Sequence, residues 1–317
     1  MQSVIRSARS TLSTVARQAA FSTVSFRCLS STPTFTRYEG KENAYGDKKT
    51  ALVLHGIMGN KGNWRTFANR LAKRYNGWDF VCVDLRNHGD FTDVDGPHTL
   101  EACAHDLVKL GDDMRWGEEG GPHAVIGHSF GGKVAMQYLQ DSHVKPEYTW
   151  VLDAIPYTLP LSYGKSDPNS AQQVMEFCAE LPATMPDRNY LIDFLMEKGT
   201  KKSIALWMTT NLERDAEKGG YRLKFNAGTL QEMYTSYAST EFHHFLEEGV
   251  PEESQLHFVR GGKSYAWQQA DVDGVQQAAD SHDNIFFHLL PTAGHWVHTD
   301  DPDGLISLLD KTFALQV

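Results

Sequence analysis

From residue 50 onward, short unbroken apolar runs alternate with longer stretches whose apolar positions recur every three or four residues. "TALVLHG" (50–56), "DFVCVDLR" (79–86), "HAVIGHS" (123–129) and "TWVLDAI" (149–155) read as strands. "NWRTFANRLAKRY" (63–75), "LEACAHDLVKLGDDM" (100–114) and "GGKVAMQYLQ" (131–140), which alternate with them, carry the helical period. Strands that are apolar on both faces and separated by helices predict a mostly parallel sheet covered on both sides. The rhythm stops between residues 157 and 250. There "AQQVMEFCAEL", "NYLIDFLMEKG" and "AGTLQEMYTSYAS" are helical and no run reads as a buried strand, so the stretch is an inserted helical cap rather than a loop. Strands return with "QLHFVRGG" (255–262) and "DNIFFHLL" (283–290), and the chain closes on the helical "DGLISLLDKTF". The expected division is an α/β core over residues 39–156 and 251–317, interrupted by a cap over 157–250.

The first 38 residues belong to another class. They hold Arg6, Arg9, Arg17, Arg27 and Arg37, many serines and threonines, no lysine and no acid; Glu39 is the first carboxylate. Ile5, Ala8, Leu12, Val15, Ala16 and Ala19 recur at helical spacing, with Arg6 and Arg17 off that stripe. An arginine-rich, acid-poor amphipathic start describes an organelle transit peptide, mitochondrial (matrix) in preference to plastid. These residues are left out of the expected fold. Without their five arginines, 25 basic residues face 40 acidic ones, a formal charge of −15. That balance argues against a nucleic-acid partner. No apolar run approaches the ~20 residues that span a bilayer. Cys28, Cys82, Cys103 and Cys178 lack CxxC spacing, which fits buried thiols in a reducing compartment rather than a disulfide framework or a zinc site.

The chemistry concentrates in "AVIGHSFGGKVAM". Gly127-His128-Ser129-Phe130-Gly131 is G-x-S-x-G between a strand and a helix. Glycines permit a tight, strained turn that lifts the Ser129 hydroxyl above the sheet, with a helix N-terminus beneath to favour developing negative charge. Serine needs a base held by a third group. His295, in "PTAGHWVH" just past the last strand, is the best placed; His298 is its local competitor, and His282 and His288 lie before and within that strand. Asp153 closes the apolar run Trp150-Val151-Leu152, where a carboxylate must be paired or hydrogen-bonded.

On "LHGIMGNKGNW", "VDLRNHGD", "GHSFGGKVAM", "TNL" (210–212) and "AGHWVH", the chain resembles the α/β-hydrolase superfamily, and within it the ABHD11-type group that includes small bacterial esterases. The resemblance spans about residues 50–315. It implies an α/β-hydrolase fold with a helical cap and a Ser-His-Asp carboxylic ester hydrolase, usually mitochondrial in eukaryotes. Most members take the acid from the loop after the next-to-last strand, but here that position offers Gly261, Gly262, Lys263 and Ser264. The resembled group carries it at the end of the strand after the nucleophile helix, which is Asp153. This chain departs locally, with Ala154-Ile155-Pro156 in place of a Ser-Pro pair, and Asp271 stands as the rival.

His55-Gly56 followed by Gly59 forms an HG-x-x-G turn, so by position the oxyanion donors are the backbone amides of Ile57 and Phe130. The side chains of Ile57, Met58 and Phe130 then line an apolar acyl pocket, with Met58 as a substrate contact. Asp84, Arg86, His88 and Asp90 read as a hydrogen-bonded loop buttressing the site, and Trp207, Phe225 and Tyr234 as cap aromatics able to roof the substrate. The expected reaction is cleavage of a small-molecule acyl ester or thioester without a cofactor or metal. The alternatives are acyl transfer on the same three residues, and an idle hydrolase fold used for binding.

Overall fold

The structure is a computed structural model that describes residues 32–42, 48–116, 121–160 and 163–314. Seven strands form one sheet: β1 (Phe35–Tyr38), β2 (Lys49–Leu54), β3 (Trp78–Val83), β4 (Ala124–His128), β5 (Tyr148–Leu152), β8 (Gln255–Gly261) and β9 (Ile285–Leu290). Their spatial order is β1-β3-β2-β4-β5-β8-β9, and every neighbouring pair is parallel except β1 with β3.

The alternation along each strand explains why the runs are apolar throughout. Ala51 and Val53 face one side, where they meet Phe67 and Leu71 of α1 (Arg65–Arg74) and Leu305, Leu309 and Phe313 of α11 (Pro302–Phe313). Leu52 and Leu54 face the other, against α2 (Leu100–Met114), α3 (Phe130–Asp141) and α9 (Gln269–Ser281). Both faces are covered, so most positions in the central strands are apolar, and the polar exceptions such as Asp79, His128 and Thr149 are buried too.

With α8 (His243–Glu248), inside the expected cap bounds, packed instead against α9 of the core, the cap contains α4 (Ala171–Ala179), α5 (Arg188–Glu197), α6 (Lys202–Met208) and α7 (Ala227–Ser239). It also contains a short hairpin of β6 (Leu212–Arg214) and β7 (Tyr221–Leu223), which the helical pattern did not announce. Its strands are three residues each and half-buried, too short to show a period. A last short helix, α10 (Val297–Asp300), precedes α11.

One expected boundary moves. Residues 35–38, left with the leader in the sequence reading, pair with β3 at the sheet edge. Arg37 donates to the buried carboxylate of Asp79 (Nε–Oδ2 2.9 Å), and Thr34 Oγ1 donates to Asp84 at 2.8 Å. The basic, acid-free composition hid a four-residue edge strand whose arginine is neutralised by an acid 42 positions away. The rest of the leader reading, residues 1–31, lies outside the described residues. Cys82, Cys103 and Cys178 are buried and unpaired, and among the described residues no helix is long and apolar enough to cross a membrane.

Candidate active site

The C-terminal ends of β4, β5, β8 and β9 converge at one edge of the sheet. Ladder register carries on past β4 and β5: Ser129 N–H donates to Leu152 O (2.9 Å), and Asp153 N–H to Val259 O (2.8 Å). Each residue therefore sits one step beyond its strand. Ser129 has φ +53°, in the left-handed half of the map, and opens α3. Two glycines make that turn possible. A Cβ on Gly127 would lie 2.0 Å from Gly131 O, and one on Gly131 2.6 Å from His55 O. The helix thus packs directly on the strand ends, and the strain is held in the residue that carries the hydroxyl.

Asp153 also has a positive φ, +49°, and is fully buried. Its Oδ1 accepts from Gly261 N–H and Trp267 Nε1–H, both at 3.0 Å. Its Oδ2 accepts from Ser264 Oγ at 2.5 Å and from His295 Nδ1 at 2.6 Å. Four donors satisfy a carboxylate that water does not reach. Asp271 is elsewhere: it closes a capping box at the start of α9, accepting from Gln268 N–H at 2.8 Å.

His295 is held from behind. His128 Nε2–H donates to the His295 carbonyl at 2.7 Å. His298, the sequence competitor, stacks on Trp64 with centroids 4.0 Å apart, and burial above all, with His295 beside it, pushes its pKa down to about 3. It is a wall residue, and its ring is engaged with the indole.

The HG-x-x-G turn closes with Gly59 N–H on Gly56 O at 2.9 Å. Two buried histidines fasten it. His55 Nε2 accepts from Leu85 N–H (3.0 Å), so its Nδ1–H donates to Gly56 O (2.8 Å). His88 Nε2 accepts from Met58 N–H (3.0 Å), so its Nδ1–H donates to Arg86 O (2.9 Å). Burial, and secondarily the neighbouring His55, holds His88 near pKa 3. Met58 N–H is thereby engaged, whereas the amides of Ile57 and Phe130 have no acceptor among the described residues. Both residues line the cavity that holds Ser129 and His295.

The "DLRNHGD" loop does buttress this turn. Asp84, fully buried, accepts from Lys61 N–H (2.7 Å), Asp90 N–H (2.9 Å) and the Lys61 ammonium. Arg86 grips Asp106 of α2 with two parallel bonds, Nε–Oδ2 2.7 Å and Nη2–Oδ1 2.8 Å. The cap reaches the same turn through "TNL": Asn211 Nδ2 donates to Met58 O at 2.7 Å. Among the described residues, no group of three metal-ligating side chains forms.

Two cavities meet at Ile57, Ser129, Ala171, Tyr265 and His295. The first, about 620 Å³ counting its open mouth, is walled by Met58, Trp64, Val174, Ile204, Trp207 and Trp296. The second, about 550 Å³ on the same basis, is walled by Phe130, Ile155, Leu159, Tyr163, Tyr234 and Tyr237. Of the three cap aromatics singled out in the sequence, Trp207 and Tyr234 line these cavities; Phe225 lines a separate cleft beside Cys178. Sequence reading missed Ser264, Trp267, His128 and Asn211. "GGKS" at the end of a strand was a visible signal for a hydroxyl donor and "TNL" marked Asn211 without its role, while the indole gave none.

The model of the family described as "Alpha/beta hydrolase family" matches residues 51–308. The Danio rerio protein named "sn-1-specific diacylglycerol lipase ABHD11" is 27% identical over 281 residues, spanning 86% of this chain and 80% of its own. "Esterase YbfF" of Escherichia coli (strain K12) is 25% identical over 288 residues, spanning 87% and 96%. A Saccharomyces cerevisiae protein named "Probable alcohol acetyltransferase" is 26% identical over 276 residues, spanning 79% and 73%. The solved structure titled "Marine microorganism esterase" shares the fold with a TM-score of 0.71 at 21% identity, over 88% of this chain and 98% of that one. With its site at the carboxyl ends of the strands and the match running through core and cap alike, the chain belongs to the α/β hydrolase family, among members of the ABHD11 and small-esterase type.

Proposed function

We propose that the protein is a serine hydrolase of carboxylic esters or thioesters that works through an acyl-enzyme, with Ser129 as nucleophile, His295 as base and Asp153 as the acid that orients it. The 2.6 Å bond between Asp153 Oδ2 and His295 Nδ1 carries this reading. A carboxylate on Nδ1 fixes the proton there and leaves Nε2 bare to take the serine proton. Ser129 Oγ attacks the acyl carbon, and the oxyanion that forms is held by the free amides of Ile57 and Phe130. His295 then protonates the departing alcohol or thiol, and water resolves the acyl-enzyme through the same base. The two cavities meeting at Ser129 and His295 give the acyl group and the leaving group separate walls, Met58 lining the first. Relatives named as a lipase and an esterase support an ester as the bond cleaved. The arginine-rich leader supports delivery to the mitochondrial matrix.

Intact-mass analysis after a fluorophosphonate, on residues 32–317 beside Ser129→Ala, tests the mechanism. One adduct on the native chain and none on the variant is expected. A folded native chain that takes no adduct overturns the hydrolase reading and leaves the idle-fold alternative. The yeast relative's printed name favours one second reading, acyl transfer to an alcohol. Product analysis in water with added alcohol separates the two, since the acceptor alone differs.

A further inference from the structure

Lys133 lies on α3, one turn past Ser129, and is completely buried. Its Nζ donates three 2.7 Å bonds, to the carbonyls of Tyr157, Tyr237 and Thr240. It also lies 4.7 Å from the centre of the Tyr237 ring. Burial pushes the Lys133 pKa down to about 7; protonated, its amine has three donors and each has an acceptor, so the ammonium form is fully satisfied without a bonded carboxylate. Two of those carbonyls are at the C-terminal end of α7, where the helix dipole is negative and the last carbonyls lack partners.

The place of the three acceptors gives the arrangement its meaning. The chain leaves the core for the cap through residues 156–159 and returns through 238–242. Those two crossings lie side by side, joined by Phe242 N–H to Pro156 O (2.6 Å) and Leu159 N–H to Ala238 O (2.7 Å). One nitrogen on the helix that carries Ser129 therefore grips both. Tyr237, held by its carbonyl and its ring face, packs on Phe130 with centroids 6.0 Å apart and lines the second cavity beside Leu159. Burying an ammonium in a core is costly, and a methionine would fill similar volume without that cost, so a purely space-filling role does not account for lysine.

We propose that Lys133 is a positioning residue: it fastens both core–cap crossings to the nucleophile helix and so sets the tyrosine-lined wall of the second cavity relative to Ser129. It acts from behind Tyr237 and touches no substrate. The proposal rests on the reading of Ser129 as the reacting group, but its structural half can be tested without it.

The experiment compares the native chain with Lys133→Met and with Lys133→Gln, which keeps two N–H donors. Three readouts are taken: the labelling rate with a small methyl fluorophosphonate, kcat and KM for a long-chain ester, and hydrogen exchange in peptides covering 156–159 and 238–242. For Lys133→Met the labelling rate stays within about threefold of native while KM for the long ester rises about tenfold and kcat changes less, with Lys133→Gln in between. Exchange at the two crossings rises about tenfold while that of α1 stays native. Equal loosening of α1 and the crossings, an unchanged KM, or failure of both variants to fold would overturn the proposal, because a fastening role leaves the core able to form. If the native chain takes no probe, the reading of Ser129 falls, and exchange at the crossings still decides whether Lys133 fastens them.

Discussion

Asp153→Asn tests the site most sharply, because the outcome follows from which donors are able to turn around. Gly261 N–H and Trp267 Nε1–H both point at Oδ1, and neither can become an acceptor. They hold the asparagine carbonyl in the Oδ1 position and force its NH2 group into the place of Oδ2. There it meets Ser264 Oγ and His295 Nδ1. The serine hydroxyl rotates and accepts. The imidazole accepts only by presenting a bare Nδ1, which moves its proton to Nε2, the nitrogen that Ser129 needs unprotonated. Shape and packing are kept while the base is lost. Loss of the correct tautomer costs kcat on the order of 10⁴-fold, or ~5.5 kcal/mol of barrier. KM should hardly move, since Asp153 is fully buried behind the ring. Steady-state hydrolysis of a chromogenic ester, with fluorophosphonate labelling as an independent index of serine reactivity, reads both numbers. An Asp153→Asn enzyme with kcat within about tenfold of native would refute the reasoning. A large loss in Asp271→Asn instead would move the acid to the capping residue of α9.

Two further outcomes follow from neighbouring contacts. Asn211→Ala leaves the Met58 carbonyl without its cap-borne donor, which costs ~1–3 kcal/mol; urea unfolding should show that loss, and an unchanged midpoint would mean the cap does not anchor the turn. His88, fully buried, has its pKa lowered from 6.5 to about 3 by burial and by His55, so folding favours its neutral form. The stability this contributes is complete above the unfolded value and is lost as pH falls from there toward 3, about 2 kcal/mol of it by pH 5. The difference in unfolding free energy between pH 7 and pH 5 should shrink by about that amount in His88→Gln, and an equal pH dependence in the two proteins would contradict it.

The fold was legible wherever periodicity spoke. Apolar runs bounded by helices announced β2, β3, β4, β5, β8 and β9, because strands covered on both faces by helices are apolar at most positions. β1 was hidden because its residues belong compositionally to the leader, and its burial depends on Asp79 and Asp84 far along the chain. The cap helices were visible, but the β6–β7 hairpin was too short to carry a period. In the site, residues set by backbone geometry were readable: a serine between glycines, and a histidine after the last strand. Residues that act by reaching across the fold were not. Asn211 donates to a carbonyl 153 positions away, and nothing near it in the chain reports that contact.

The position proposed for the acid illustrates the same division. Moving a carboxylate from the loop after β8 to the end of β5 leaves that loop facing a buried charge, so it must supply donors instead of an acceptor. Gly261, Ser264 and Trp267 do so, and the missing acid at 261–264 is the complement of Asp153 rather than a gap. The Ala154-Ile155-Pro156 departure is tolerable for the same reason. Asp153 is fixed from the β8 side by three donors and by the ladder bond to Val259, not by the residues that follow it. What specifies the carboxylate's orientation is the strand pairing that sets Leu152 beside Val259, and the loop that β8 carries. Sequence around Asp153 therefore understates how firmly the side chain is held, and the sequence of the opposite loop, read for donors, states it directly.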